Sequence, residues 1–193
     1  IIVVQPCYVN YTPLANLCQA KVITIDTSIN GFYPTAEQIK NVITPKTKAI
    51  MICSPNNPTG TMIPSDELEK IAKVIVENQI WCISDEIYCE LVYEDSKHIS
   101  IGSFPGMKDY AIILNGFSKS FAMTGWRIGY IAAPSELLTQ IVKLHGYNTI
   151  CAPIFSQYAA AEGLRSGWKD VEKMRISYQQ RRNLMYKAFC DMD

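Results

Sequence analysis

The chain has 193 residues, 48% of them apolar, which is enough for one sizeable hydrophobic core. Its 18 lysines and arginines balance 18 aspartates and glutamates, and this zero net charge argues against a nucleic-acid-binding face or a polybasic membrane anchor. Seven cysteines without Cys-x-x-Cys spacing and only two histidines argue against a zinc site and predict a reducing, cytoplasmic compartment.

Short apolar runs of strand length recur from the first residue onward. They lie at Ile1–Gln5, Val22–Asp26, Ala49–Ser54, Ile80–Ser84, Ala111–Leu114 and Ile128–Ala133. Several of these runs are separated by segments of helical period. Thr35–Gln38 has the form of a capping box, and Ser65 precedes two acidic residues and an apolar helical face. Ser135 opens a further helical pattern.

The final segment, from about Lys169 onward, carries apolar residues among many charges, and we expect a long, half-exposed helix there. The chain begins without an initiator methionine and stops at Asp193 inside this pattern, so we expect it to be a piece of a longer protein. The alternation of strands and helices predicts an α/β fold, with three α/β/α layers and a mainly parallel sheet.

Polar residues follow three of the predicted strands. They are the Pro55–Gly60 turn, Asp85 and Lys119. In mainly parallel sheets, ligands bind at the carboxyl ends of the strands. We therefore expect these three polar groups to converge on one crevice.

Lys119 comes just after a predicted strand, and Arg127 lies eight residues further on. A lysine at the end of a buried strand is poorly hydrated, which favours attack of its amine on a carbonyl. An arginine offers a planar fork of donors that suits a phosphate. An aldehyde that also carries a phosphate describes pyridoxal 5′-phosphate (PLP), although an ordinary strand-to-loop lysine gives the same local pattern.

Asp85 ends an apolar strand, where a carboxylate needs a cation or hydrogen-bond donors. In one interpretation it pairs with a protonated pyridine nitrogen, and in the other it caps the following helix. Tyr88, one helical turn later, either places its hydroxyl on the same ligand or only packs. Tyr8, after the first strand, is equally typical of plain packing.

Three motifs occur in order along the chain, at Ser54–Gly60, Ser84–Tyr88 and Asn115–Tyr130. On these residues the sequence resembles the class I/II aminotransferases, PLP enzymes of fold type I that are related to aspartate and aromatic amino acid aminotransferases. The resemblance covers essentially the whole chain. It implies the large domain of that fold, with PLP as the cofactor.

The resemblance also implies a role for each matching residue. Lys119 matches the lysine that forms a Schiff base with PLP and then moves the proton between Cα and the cofactor. Asp85 matches the aspartate that is bonded to the pyridine nitrogen. Arg127 matches the arginine that binds the phosphate, and Ser118 adds a hydroxyl to it.

The remaining matches concern the cofactor ring. Tyr88 and Asn57 match residues that donate to its phenolic oxygen, so that Tyr88 joins Lys119 and Asp85 in the expected catalytic group. Tyr8 matches the aromatic residue that stacks on the ring. The family further implies cis peptide bonds before Pro6 and Pro58.

Gly116 departs from the family pattern, because many relatives have a serine three residues before the lysine. Other members share the Asn-Gly-x-Ser-Lys form, so this departure concerns the subfamily rather than PLP binding. Two arginines of the predicted terminal helix, Arg181 and Arg182, are not assigned to the substrate carboxylate. The resemblance places the arginine with that role outside this chain.

By the same resemblance, residues 1–168 form a PLP-binding large domain that is incomplete at its N-terminus. Residues 169–193 form a long helix that leads toward an absent small C-terminal domain. The resemblance also implies a homodimer that acts on small-molecule amino acids and 2-oxo acids.

The predicted function is PLP-dependent transfer of an amino group between an amino acid and a 2-oxo acid. One alternative is another enzyme on the same scaffold, such as a carbon–sulfur β-lyase or an aminocyclopropane carboxylate synthase. A second alternative is a truncated chain without catalytic activity.

Overall fold

The computed structural model describes residues 1–192. Six strands span Ile2–Gln5 (β1), Ile23–Asp26 (β2), Ala49–Cys53 (β3), Trp81–Asp85 (β4), Ala111–Gly116 (β5) and Gly129–Ala132 (β6). Six α-helices span Tyr11–Leu17 (α1), Ala36–Val42 (α2), Ser65–Asn78 (α3), Ser135–Thr149 (α4), Ile154–Ser166 (α5) and Trp168–Cys190 (α6). Asp193, the last residue of the predicted terminal segment, lies outside the described residues.

All six strands belong to one sheet, in the order β2-β1-β3-β4-β5-β6. The pairings from β2 to β5 are parallel, and β6 alone pairs antiparallel, with β5. The chain first moves outward from β1 to β2 and then returns to add β3 on the other side of β1. A ligand crevice is expected at such a reversal of strand order, at the carboxyl ends of the strands.

Alternate residues of the strands point to opposite faces of the sheet, and helices cover both faces. On one face, Ile2, Ile50 and Cys82 are fully buried beneath α2 and α3. On the other face, Val3 and Met51 pack with Tyr11 of α1. The predicted three-layer α/β/α architecture with a mainly parallel sheet is therefore confirmed.

The predicted capping box at the start of α2 is present. The Thr35 hydroxyl accepts a hydrogen bond from the backbone N–H of Gln38 at 3.2 Å, and the Gln38 side-chain oxygen accepts from the backbone N–H of Thr35 at 3.0 Å. The backbone N–H of Ala36 donates to the Glu67 carboxylate in α3 at 2.7 Å. These bonds satisfy orphan N–H groups of α2 and join it to its neighbour.

Two helices, α1 and α5, were not predicted from the sequence. Helix α5 meets α6 at Gly167, where an added Cβ would lie 2.7 Å from the carbonyl oxygen of Gly163. The Phe121 ring packs against both of these glycines and edge-on against Trp168, with a centroid separation of 5.3 Å. The junction of α5 and α6 is thus a tight contact that requires glycine. Within residues 1–192, no helix combines the length and apolarity needed to cross a membrane.

The packing of α3 against the sheet leads to a prediction about the free energy of unfolding. Ile75 is fully buried between α3 and the sheet, whereas Ile29 is 86% exposed. We expect Ile75→Ala to lower the free energy of unfolding by about 3 kcal/mol, because it removes buried methyl groups and leaves a cavity. Ile29→Ala should change it by less than about 0.5 kcal/mol. Urea unfolding of both variants measures the difference, and equal midpoints would contradict this packing.

Candidate functional site

All seven residues singled out in the sequence line one cavity of about 430 Å³ at the carboxyl ends of the strands. They are Tyr8, Asn57, Asp85, Tyr88, Ser118, Lys119 and Arg127. Asp85 is the last residue of β4, and the other six lie in the segments that follow β1, β3, β4 or β5. They meet because these parallel strands all end at the same edge of the sheet. The structure thus brings together every predicted site residue.

Asp85 is the last residue of β4, and both of its carboxylate oxygens accept hydrogen bonds. The Tyr11 hydroxyl donates to Oδ2 at 2.6 Å, and the backbone N–H of Ile87 donates to Oδ1 at 3.1 Å. Asp85 therefore does not cap an α-helix, the alternative left open by the sequence, since a turn rather than a helix follows β4. Its carboxylate is available to the cavity.

Tyr11 was missed in the sequence. It is buried at the start of α1, and burial is the main cause that raises the pKa of its phenol above the ordinary value. The hydrogen bond to Asp85 and the negative charge of that carboxylate raise this pKa further. Tyr8 lies three residues earlier, before α1 begins, and the two rings meet edge-on with centroids 5.7 Å apart.

Lys119 follows β5 after two residues, and its side chain reaches across the cavity toward Tyr88. The distance from the Lys119 Nζ to the centre of the Tyr88 ring is 5.6 Å, which is within cation–π range. Asn57 enters the same cavity from the Pro55–Gly60 turn. Lys119 thus shares one cavity with an aromatic ring, an amide and the Asp85 carboxylate.

Arg127 and Ser118 are joined through Thr124. The Thr124 hydroxyl donates to the Ser118 carbonyl oxygen at 2.7 Å, and the Arg127 Nη1 donates to the Thr124 carbonyl oxygen at 2.8 Å. Arg127 has a left-handed backbone, with φ of 51°. This conformation turns the chain sharply after the short 3-10 helix Thr124–Trp126 and before β6. The Arg127 guanidinium is thereby held beside Thr124, and Ser118, Thr124 and Arg127 all line the cavity.

The expected cis peptide bonds at Gln5–Pro6 and Asn57–Pro58 are both present, and Ser54–Pro55 is cis as well. The side-chain amide of Asn56 donates to the Pro6 carbonyl oxygen at 3.0 Å. This bond ties the loop after β3 to the loop after β1. Both of these loops contribute residues to the cavity.

Glu86 follows Asp85 but points to the opposite face, where it is 4% exposed. Its carboxylate lies within hydrogen-bond distance of three side chains: Ser84 Oγ at 3.1 Å, Ser100 Oγ at 2.9 Å and His98 Nε2 at 3.1 Å. Because a buried carboxylate is costly without partners, this cluster accounts for its burial. It also fixes the segment around Ser100 to the end of β4, behind Asp85.

A second, larger cavity of about 890 Å³ adjoins the first and shares Asn57, Tyr88 and Lys119 with it. Its outer wall is formed by the Pro55–Gly60 turn, the segment after Tyr88, and α6. The cavity therefore leads from the surface to the Lys119 amine.

Helix α6 is bonded to this segment at three positions along one side. Arg175 Nη1 donates to the Val92 carbonyl oxygen at 3.2 Å, and the Gln179 side-chain oxygen accepts from the backbone N–H of Glu94 at 2.9 Å. The Arg182 guanidinium forms an ion pair with the Glu94 carboxylate at 2.6 Å and lies 5.3 Å from the centre of the Tyr93 ring. We refer to these contacts as the α6 brace.

The family described as "Aminotransferase class I and II" matches residues 1–193. The chain belongs to this family. It is 45% identical over 189 residues to a protein from Bacillus subtilis named "Putative aminotransferase YugH", covering 97% of this chain and 49% of that protein. It is 44% identical over 195 residues to an aspartate aminotransferase of Pyrococcus abyssi, covering 100% of this chain and 50% of that enzyme.

Solved structures of the family superimpose closely on the chain. An aromatic aminotransferase from Pyrococcus horikoshii has a TM-score of 0.92 and 42% identity, with 96% of this chain and 51% of that chain covered. An aspartate aminotransferase from Thermus thermophilus has a TM-score of 0.91 and 36% identity, with 96% and 49% covered. The chain spans about half the length of the curated relatives it matches.

The buried cluster around Glu86 gives a second stability prediction. We expect Glu86→Ala to lower the free energy of unfolding by about 3 kcal/mol, since three side chains lose a buried acceptor at once. Glu77 lies on the exposed side of α3, and Glu77→Ala should have little effect. Thermal or urea unfolding of the two variants compares them. A Glu86→Ala protein as stable as the Glu77→Ala control would contradict this account of the cluster.

Proposed function

We propose that this chain is the PLP-binding part of an aminotransferase that moves an amino group between an amino acid and a 2-oxo acid. The observation that carries the proposal is the cavity at the carboxyl ends of the strands, which collects a carboxylate from the end of β4 and an amine and a guanidinium from the connection between β5 and β6. Membership in the class I and II aminotransferase family supports the same activity. The relatives that it resembles over their matched halves are named aminotransferases.

The donor set of the cavity fits PLP, group by group. Lys119 offers an amine to an aldehyde, Asp85 a carboxylate to a protonated ring nitrogen, and Arg127 a forked donor to a phosphate. The volume of about 430 Å³ lies in the range of small-molecule sites. Both carboxylate oxygens of Asp85 are already oriented by hydrogen bonds from the protein. Such fixed orientation suits a group that forms an ion pair with a cofactor.

PLP, when bound, supplies an electron sink that weakens the bonds at Cα of an amino acid. The protein's own residues then select which bond breaks. Lys119 Nζ would hold the cofactor at its aldehyde and, when free, would move the proton at the substrate Cα. Asp85 would favour a positive charge on the ring nitrogen by its own negative charge. Asn57 and Tyr88 would offer hydrogen bonds to the phenolic oxygen.

The opposite end of the cavity would hold the phosphate. The Arg127 guanidinium carries the positive charge there, and the Ser118 hydroxyl adds a neutral donor. Thr124 holds the backbone of Ser118 and the guanidinium of Arg127 through the bonds described above. Tyr8, which lines the cavity, would cover one face of the ring.

The larger cavity would admit the amino acid and the 2-oxo acid to Lys119. Among the relatives, some are named for aspartate and others for aromatic amino acids, so both classes are candidate donors. Arg182 lines this cavity but is paired with Glu94. We propose that the arginine for the substrate carboxylate belongs to the part of the parent protein outside this chain.

We further propose that residues 1–168 form the PLP-binding domain and that 169–193 lead to a second domain. A homodimer in the cytoplasm is proposed for the parent protein. The free state of all seven cysteines supports a reducing compartment. Exposed apolar side chains on α4 and α5, including Tyr147, Phe155 and Tyr158, support an association surface.

Amino-group transfer is tested by adding PLP and then one donor at a time to the purified chain. Because the arginine proposed for the substrate carboxylate lies outside this chain, we expect aspartate, phenylalanine or alanine to convert the bound cofactor to pyridoxamine 5′-phosphate only slowly, with release of the matching 2-oxo acid. The absorption spectrum and product analysis measure both. With cystathionine as a further donor, release of pyruvate, ammonia and a thiol would instead indicate a carbon–sulfur β-lyase. Bound PLP that no donor converts would contradict aminotransferase activity of this chain.

The covalent role of Lys119 is tested by borohydride reduction in the presence of PLP. We expect wild-type protein to gain one pyridoxyl group on Lys119, and Lys119→Ala to gain none, because only this lysine lines the cavity. Lys108→Ala, which removes an exposed lysine, should be labelled as the wild type is. Peptide mass spectrometry locates the label. A pyridoxyl group that persists in Lys119→Ala at a single site would contradict the assignment.

A further inference from the structure

Tyr11 takes no part in the reaction described so far, yet it makes the shortest contact of the Asp85 carboxylate. Its hydroxyl lies 2.6 Å from Asp85 Oδ2, and the two residues are 74 positions apart in the sequence. Tyr11 lies in the first turn of α1, after β1, whereas Asp85 ends β4. The bond therefore reaches across the end of β3, which lies between these two strands.

The end of β3 between them is occupied by Cys53. Cys53 is paired in register with Asp85 and packs with Tyr11 in the same buried cluster. Its thiol points to the Pro55 carbonyl oxygen at 3.3 Å and not to Asp85. Burial, reinforced by the charge of Asp85, raises the pKa of Cys53 to about 11, so the thiol stays neutral near pH 7. Cys53 fills the space but does not compete with Tyr11 for the carboxylate.

The direction of the Tyr11–Asp85 bond follows from the chemistry of the two groups. An ionised carboxylate only accepts hydrogen bonds, so the phenol must donate. Burial raises the pKa of Tyr11, which keeps its proton in place throughout the range in which enzymes work. Tyr11 is therefore a permanent donor to Asp85.

Two donors on two different oxygens fix the plane of a carboxylate. Ile87 N–H holds Oδ1 at 3.1 Å, from the turn after β4, and Tyr11 holds Oδ2 at 2.6 Å, from the other side of β3. Without Tyr11, the side chain would be held on one oxygen only and could rotate about its Cβ–Cγ bond. A carboxylate offers about four acceptor sites, so both oxygens keep capacity for a ligand.

We propose that Tyr11 is a positioning residue, which acts through Asp85 to aim that carboxylate at the ring nitrogen of PLP. The inference rests on the proposed function, because it takes PLP as the ligand of Asp85. It assigns to Tyr11 no contact with the substrate or with the reacting atoms. A tyrosine that only packs would stabilise the fold, and any effect of Tyr11 on PLP affinity would then be the same with or without the Asp85 carboxylate.

The experiment measures the dissociation constant of PLP for wild type, Tyr11→Phe and a matched control. Tyr11→Phe removes one oxygen and keeps the buried ring, so the fold should persist, and circular dichroism checks this. We expect its affinity for PLP to fall about tenfold, as for loss of a hydrogen bond to a charged group. The control Tyr33→Phe removes a hydroxyl from a tyrosine that packs against the opposite core, and it should bind as the wild type does.

Two further measurements distinguish a positioning role of Tyr11, which acts through Asp85, from a packing role. In an Asp85→Asn background, adding Tyr11→Phe should cause almost no further loss of PLP affinity, since the carboxylate through which Tyr11 acts is gone. With 1-deazapyridoxal 5′-phosphate, which has carbon in place of the ring nitrogen, wild type and Tyr11→Phe should bind equally. Both results are expected of a residue that acts through Asp85 on that nitrogen.

The outcomes distinguish this inference from the proposed function. If wild type binds PLP and Tyr11→Phe binds it equally well, the inference is wrong and the proposed function stands. The inference is also wrong if Tyr11→Phe lowers the affinity by the same factor in the Asp85→Asn background, or for the deaza analogue, as it does for PLP in the wild-type background. Tyr11 would then act by packing and not through Asp85. A wild-type chain that does not bind PLP would contradict the proposed function, and the inference would fall with it.

Discussion

Parallel pairing of β1, β3, β4 and β5 is the constraint on which the cavity depends. Parallel strands must all end at the same edge of their sheet, so that four loops distant in the sequence become neighbours. The loops supply an aromatic ring, an amide, a carboxylate and an amine in that order along the chain. The helices that return the chain between strands bury the two faces of the sheet. Hence one arrangement of the backbone provides both the hydrophobic core and the site.

The side-chain alternation of a strand has an equally direct effect at the end of β4. Asp85 and Glu86 are consecutive carboxylates, and they point to opposite faces of the sheet. Asp85 opens to the cavity and is held by Tyr11, whereas Glu86 is buried among Ser84, Ser100 and His98. Each carboxylate has its own hydrogen-bond partners, so these two negative side chains are held apart although they are consecutive in the chain. Glu86 anchors the end of β4, from which Asp85 faces the cavity.

Much of this could be predicted from local sequence patterns. The six strands were found within one or two residues, and the Thr35 capping box and the helix from Ser65 were correct, because each depends on neighbours in the sequence. The grouping of the seven site residues followed from their motifs and from the rule for strand ends.

The misses were of two kinds. Helix α1 has only seven residues and no side-chain cap, and Pro13 lies inside its first turn, so its local signal was weak. Helix α5 carries apolar residues on several sides, so its sequence does not show the regular helical spacing of apolar residues. The Tyr11–Asp85 bond joins residues far apart in the chain, and no local pattern predicts such a contact. The partners of Glu86 were missed for the same reason.

The close contact at Gly167 holds the N-terminal end of α6, so a tilt of this helix is a rotation about Gly167. A helix of 23 residues is about 34 Å long, and the first contact of the α6 brace, at Arg175, lies about 12 Å from Gly167. A rotation of about 5° would move the far end by about 3 Å but Arg175 by only about 1 Å. Displacement at the far end is thus reduced roughly threefold at Arg175, which contacts Val92, and about twofold at Gln179, which contacts Glu94. Both contacts lie in the segment that begins at Tyr88, beside the Lys119 amine.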